Sequence, residues 1–254
     1  MWPQEVVDMA LHLLSTGRTT RSVAAEIGVP RRTIADWVNT TAPIDRERHK
    51  HQHATEGCQL ILEPGWLAMT SYVYLLGLYL GDGCLSAHPR DVWRLRIFCD
   101  TKYPGIIENG ASAMRSVLPT NRVQFQTRGG CTEVSMYWRH WPCLFPQHGP
   151  GRKHERQILL TGWQEQLVGN DRAALLRGLI HSDGSRYIAR QTCRGHRYAW
   201  PRYCFSNRSE DIKQLFCETC DALAIAWRRA DPKHIYINRR EAVAVMDELV
   251  GPKS

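Results

Sequence analysis

The chain has 254 residues, 43% hydrophobic and 23% charged, a globular composition with room for one sizeable core and a small extra domain. Its 33 Lys and Arg against 25 Asp and Glu leave a formal net charge of +8. Such an excess points to nucleic acid, because neutralising phosphates releases condensed counterions. No apolar run reaches membrane-spanning length, the longest being residues 73–80, so no membrane partner is expected.

Residues 1–40 read as a small helical domain. A first helix carries Val6, Met9, Ala10, Leu13 and Leu14 on one face and stops at Gly17; a second, in TTRSVAAEIGV, closes at Gly28. A third starts at Pro30 and buries Ile34, Trp37 and Val38. Small Ala24 and Ala25 permit close approach and Gly28 a sharp turn, so the stretch resembles the helix-turn-helix of bacterial DNA-binding proteins. That resemblance puts Arg31, Arg32 and Thr33 at the leading end of the helix that would enter the major groove.

Residues 41–65 read as a polar linker. Its alternating His49, His51 and His53 are expected to be part of a solvated basic tether rather than metal ligands, and Cys58 does not change that. The nine cysteines are irregularly spaced, which argues for a reducing compartment. The single CxxC, Cys217 and Cys220, fits one buried helical face better than a zinc site. The opening MWPQEVVDMALHLL has no basic, apolar leader pattern, so a cytoplasmic, nucleoid-associated location is expected.

The remainder repeats itself. LLGLYLGDG at 75–83 overlays LRGLIHSDG at 176–184, and each copy is followed by extended, helical, extended and helical stretches. The first series is VWRLRIFCD, PGIIENGASAMRSVL, RVQFQTR with TEVSMYWR, and HWPCLFPQHGPGRK. The second is YAWPRYCFSNR, SEDIKQLFCETCDALAI, AWRRA with HIYINR, and REAVAVMDELVGPK. Lys153 lies 71 positions beyond Asp82, and Lys253 lies 70 beyond Asp183.

With these two motifs the chain resembles the LAGLIDADG homing endonucleases in their single-chain, two-repeat form, over about residues 66–254. The resemblance implies an α+β fold: two pseudo-symmetric αββαββα repeats, 66–160 and 161–254, forming a saddle of antiparallel sheets after the helix-turn-helix domain. It implies that the motif helices pack together at a pseudo-twofold axis, with Gly77 and Gly178 at the contact and Leu75, Leu78, Leu176 and Leu179 beside them. Gly83 and Gly184 suit the turn at the helix ends, where Asp82 and Asp183 would face each other. The implied chemistry is site-specific hydrolysis of double-stranded DNA by a monomer, with Asp82 and Asp183 holding Mg²⁺ or another divalent cation. Lys153 and Lys253 would be the basic catalytic residues, with Arg152 and Arg156 as alternatives or phosphate contacts.

Bases would be read by Arg94, Arg96, Gln124, Gln126 and Arg128 in the first repeat and Arg202, Arg228, Asn238 and Arg239 in the second, their forked donors and acceptors suiting guanine and adenine edges. Trp93, Trp138, Trp141, Trp163, Trp200 and Trp227 are expected to pack rather than stack on bases. The sixth motif position, often Asp in the family, is Leu80 in one copy and His181 in the other; packing is expected of His181. An alternative reading is a non-cutting DNA-binding transcription regulator on the same scaffold, and a third is assistance to RNA splicing.

Overall fold

The computed structural model describes residues 2–41, 69–251 and 253. The chain divides into two units, Met1–Gly57 and Cys58–Ser254. The histidine run at 49–53, Cys58 and the linker beyond Thr41 lie outside the described residues.

In the first unit, α1 (Gln4–Ser15), α2 (Thr20–Ile27) and α3 (Arg31–Thr41) close around Ala10, Val23, Val29 and Ile34. Thr19 caps α2 by accepting a hydrogen bond from the Ser22 amide at 3.2 Å. Gly28 ends it in the left-handed region, φ +68°, where a side chain would be strained. Trp37 packs edge-on against Trp2 rather than joining the fully buried set. Met9, expected inside, is 49% exposed: on α1 the buried line runs through Ala10, one residue round the helix.

The second unit holds both repeats. The first runs α4 (Met69–Asp82), β1 (Gly83–His88), β2 (Val92–Asp100), α5 (Pro104–Val117), β3 (Val123–Arg128), β4 (Cys131–Trp138) and α6 (Trp141–Leu144). After α7 (Gly162–Asn170), the second runs α8 (Arg172–Asp183), β5 (Gly184–Cys193), β6 (His196–Ser206), α9 (Glu210–Ala222), β7 (Arg228–Arg229), β8 (His234–Ile237) and α10 (Arg240–Val250). The sheets are antiparallel and of the same order, β1-β2-β4-β3 and β5-β6-β8-β7. The expected order αββαββα therefore appears twice. Its closing helices differ: α6 is a single turn, cut short among Pro142, Pro146 and Pro150, where α10 runs eleven residues. In the stretch AWRRA the strand is Arg228 and Arg229 alone, and the Ala230 amide adds a bond to the His234 carbonyl at 3.1 Å.

The helix α4 is apolar on every side, and each residue from Tyr72 to Leu80 is buried, so it forms the centre of the molecule rather than an amphipathic cover. Each fully buried Leu there contributes on the order of 1.5–3 kcal/mol. Its start is tied to α8: the Thr70 hydroxyl donates to Asp171 at 2.7 Å, while Asp171 caps α8 through the Ala174 amide. Farther along, the Tyr72 hydroxyl donates to the Leu144 carbonyl at 2.6 Å and accepts from Gln164, joining α4, α6 and α7. Among the described residues no helix is long and apolar enough to cross a membrane.

Candidate active site and nucleic-acid interface

Where α4 and α8 cross, backbone meets backbone. A Cβ on Gly178 would stand 2.3 Å from the Tyr74 carbonyl oxygen, and one on Gly77 would stand 2.8 Å from the Gly178 Cα. A third small pair follows, since a Cβ on Gly81 would fall 2.2 Å from the Ser182 hydroxyl. This seam carries the two helix ends to one place, and Asp82 and Asp183 with them. The glycines after the acids serve a different purpose from the one expected. Gly184 is extended, φ −101°, not left-handed; it is small because a Cβ would press to 2.7 Å from the Ile180 Cα as β5 folds back along its own helix. Gly83 is confined in the same way by Tyr79.

Burial raises the pKa of both carboxyls above the ordinary range, and for Asp183 the charge of Asp82 adds to it, bringing it up to about 6. Lys153 and Lys253 work against those shifts. Lys153 is itself desolvated, and burial lowers it to about 8 despite the two carboxylates; burial also lowers Lys253.

Both lysines cap the motif helices. The Lys153 ammonium donates to the carbonyls of Tyr79, Leu80 (3.0 Å) and Gly81 (2.7 Å) at the end of α4, and Lys253 donates to those of Ile180 (3.2 Å) and Gly184 (2.5 Å) at the end of α8. An ammonium has three protons, so Lys153 is fully committed to backbone and acts on the acids through its charge. Of the alternatives, Arg156 is engaged with the Gln147 and Gly151 carbonyls, whereas Arg152 lines the space beside Asp183.

Two cavities flank the helix ends. One, about 260 Å³, is lined by Asp82, Cys99, Asp100, Lys102, Ser182 and Lys253; the other, about 630 Å³, by Gly81, Arg152, Lys153, Asp183, Asn207 and His234. Gly83 pairs with Ile97 as Gly184 pairs with Phe205, so Cys99 and Asn207 occupy equivalent places two residues further on. Sequence reasoning missed both. Asn207 donates to the Asp183 carboxylate at 2.6 Å, whereas Cys99 is a buried thiol pushed up to about 12 by desolvation and by Asp82.

The buried His181 accepts or donates at 2.9 Å with the Tyr74 hydroxyl and is held neutral by burial, its pKa lowered to about 4. It packs, as expected, and also lines the Asp82 cavity. Leu80 is core, as are Cys217 and Cys220. Among the described residues no group of three or more His, Cys, Asp and Glu side chains gathers as a metal centre. Two carboxylates on adjoining backbone suit instead a hard cation that takes its other oxygens from water and phosphate.

On the first sheet, Leu95, Ile97 and Val134 face the helices, and the alternate residues face away. Arg94 and Arg96 are on that open face, and Gln124 and Gln126 join them by pairing with Ser135 and Glu133, as does Arg128 beyond. The buried Glu133 is the unexpected member. Arg96 donates to one of its oxygens through Nε (2.8 Å) and Nη2 (2.5 Å), and Arg94 pairs with the other at 2.5 Å. Burial alone would raise the Glu133 pKa, but the two guanidiniums outweigh it and hold it low. The signal was readable, since Glu133 shares the polar register of TEVSMYW with Ser135 and Tyr137.

On the second sheet, Arg202 lies on the open face, its guanidinium 4.7 Å from the Tyr236 ring centroid, and Arg228 pairs with Tyr236. Asn238 and Arg239 do not belong to that face as strand residues. Asn238 follows the end of β8 and Arg239 is the N-cap of α10, because the strand stops at Ile237. Trp141 is fully buried, Trp93 nearly so, and Trp138, Trp163 and Trp227 pack against the core; Trp200 departs from that expectation and sits beside Arg202. In the first unit, Arg31 and Arg32 are exposed at the start of α3, with Thr33 half-buried.

No family profile and no curated protein matches the chain. Solved structures similar in fold are LAGLIDADG homing endonucleases. They include I-DmoI in complex with DNA and Mn (12% identity, 72% of this chain and 98% of that one, TM-score 0.46). Others are the LAGLIDADG meganuclease I-AabMI bound to uncleaved DNA (9%, 70% and 82%, 0.46) and a mutant of I-SmaMI (8%, 71% and 85%, 0.45).

Proposed function

We propose that this protein is a site-specific endonuclease acting on double-stranded DNA, with one chain supplying both halves of the site and therefore working as a monomer. The observation that carries the reading is the pair Asp82 and Asp183, which a protein that only binds has no reason to desolvate side by side against their own repulsion. A divalent cation such as Mg²⁺ bound there supplies Lewis-acid polarisation of the phosphate and a more acidic water. The residues of the chain do the rest. Asp82 and Asp183 hold the cation, Asn207 fixes the orientation of Asp183, and Lys153 and Lys253 place positive charge beside the carboxylates while keeping the helix ends closed. The open faces of the two sheets, through Arg94, Arg96, Gln124, Gln126, Arg128, Arg202 and Arg228, read the duplex. Arg31, Arg32 and Thr33 add a tethered second contact that lengthens the site. We assign it to the cytoplasm, at the nucleoid.

The test is incubation of the full chain with Mg²⁺ and a supercoiled plasmid carrying its native flanking locus. Linear product is expected, and none from the Asp82→Asn/Asp183→Asn double variant, which should still retard the fragment in a gel. Equal cutting by that variant would remove the acids from the mechanism. Tight binding with no cutting by the wild type would leave the regulator.

A further inference from the structure

The Asp183 cavity holds a mounted imidazole that has no counterpart beside Asp82. His234 stands on β8 opposite Ser206, and the equivalent place on β4, opposite Phe98, is taken by Glu133. Glu133 is committed to Arg94 and Arg96 and does not line the Asp82 cavity, whereas His234 lines the cavity at Asp183.

The sequence DPKH builds the mount for that ring. Asp231 accepts from the Lys233 and His234 amides at 2.8 and 3.0 Å, the local turn an Asp side chain makes with the backbone after it. The same carboxylate meets His234 Nδ1 at 2.9 and 2.8 Å, and the Lys233 amide and the imidazole hold its pKa below the ordinary range. The turn is anchored from behind, where the buried Lys213 of α9 donates to the Pro232 carbonyl and to Glu210. Tyr236 lies nearly parallel to the imidazole, at 10° and 6.2 Å between ring centroids. An ionised carboxylate on Nδ1 keeps the ring proton there, so Nε2 carries the lone pair. His234 lines the cavity and Asp231 does not, so the Nε2 edge is the one turned into it.

The two cavities differ in charge as well. The lining at Asp183 brings Arg152, Lys153, Arg208 and Lys233 against one carboxylate, while at Asp82 Lys102 and Lys253 are matched by Asp82 and Asp100. A phosphate is drawn more strongly to the first.

We propose that His234, oriented by Asp231, is the proton acceptor for hydrolysis of one DNA strand only, the strand whose phosphate enters the Asp183 cavity. Its Nε2 takes a proton from a water as the water oxygen bonds to phosphorus; the bond from phosphorus to the leaving sugar oxygen breaks, and that oxygen takes a proton from solvent. His234 is thus a catalytic residue and Asp231 a positioning residue, and the other half works without either. The proposal rests on the reading of the protein as a nuclease and adds that the two strands part by different means and at different rates.

The experiment follows the full chain with Mg²⁺ on a supercoiled plasmid carrying its native flanking locus, with each nick assigned to its strand by primer run-off. His234→Ala should slow one strand about a hundredfold or more, so that nicked circles accumulate, all opened on the other strand. Added imidazole, which the cavity of about 630 Å³ can admit, should restore linear product. Asp231→Asn, which keeps the ring but not its tautomer, should slow the same strand about tenfold or more. Equal slowing of both strands, no slowing in a variant whose thermal melt matches the wild type, or slowing that imidazole does not relieve would overturn the role of His234 and leave the nuclease reading standing. A wild type that binds duplex without cutting it would overturn the functional reading itself.

Discussion

The two repeats agree at their shared axis and part company away from it. At the axis, Gly77 meets Gly178, Asp82 matches Asp183, and a lysine closes each helix end. At the periphery, α6 is one turn and α10 three, β3 has six residues and β7 two, and β5 outruns β1 by four. Between these lies the fringe of the candidate site, where Asn207 holds Asp183 while its counterpart beside Asp82 is a protonated thiol, Cys99. Backbone contact at the seam leaves no room for drift, whereas a strand end or a hairpin can change without disturbing its neighbours. The halves are equal where packing forbids change.

If the acids form one site, either single change, Asp82→Asn or Asp183→Asn, should reduce double-strand cleavage by about a thousandfold or more, as loss of a metal-holding carboxylate costs several kcal/mol. Plasmid linearisation over time checks it, and a variant that cuts normally would break the equivalence of the halves. Gly178→Ala should cost about 3 kcal/mol, read from urea melts, because its Cβ would meet the Tyr74 backbone rather than a side chain that can swing away.

The third prediction concerns pH. Asp183 binds its proton more tightly folded than unfolded, so without divalent cations its contribution to stability is full below about pH 4 and is lost as pH rises through about 6. Relative to Asp183→Asn, the wild type should lose on the order of 3 kcal/mol across that window. A constant difference between the two melts would show that neither burial nor the charge of Asp82 raises the Asp183 carboxyl. The smallest effect separates the halves: Asn207→Ala should slow cleavage about tenfold, while Cys99→Ala should leave it within about twofold. Equal losses would make the fringe as symmetric as the axis.

Much of this arrangement was legible. The seam glycines, the paired acids and the capping lysines sit in the repeat itself, and period-two alternation placed Arg94, Arg96, Gln124 and Gln126 together on the open face. What escaped depends on partners distant in sequence. Asn207 matters only because β6 ends beside Asp183, 24 positions away in the chain; the polar register marked the face of Glu133, but its guanidinium partners come from β2. The end of β8 decided Arg239: two residues past the last ladder pair the backbone turns into a helix cap, and no pattern in HIYINRRE marks that point. Met9 failed for a similar reason, since α1 has more apolar residues than its small domain can cover.

A contact made of main chain also behaves like a fixed gauge. Because α4 and α8 touch at Gly77 and Gly178, the spacing of the two helix ends is set by main chain rather than by the strands. If the protein cuts as proposed, sheets redesigned to recognise a different stretch of duplex should leave unchanged the offset between the two broken bonds on opposite strands, because the helices that carry the acids meet through main chain.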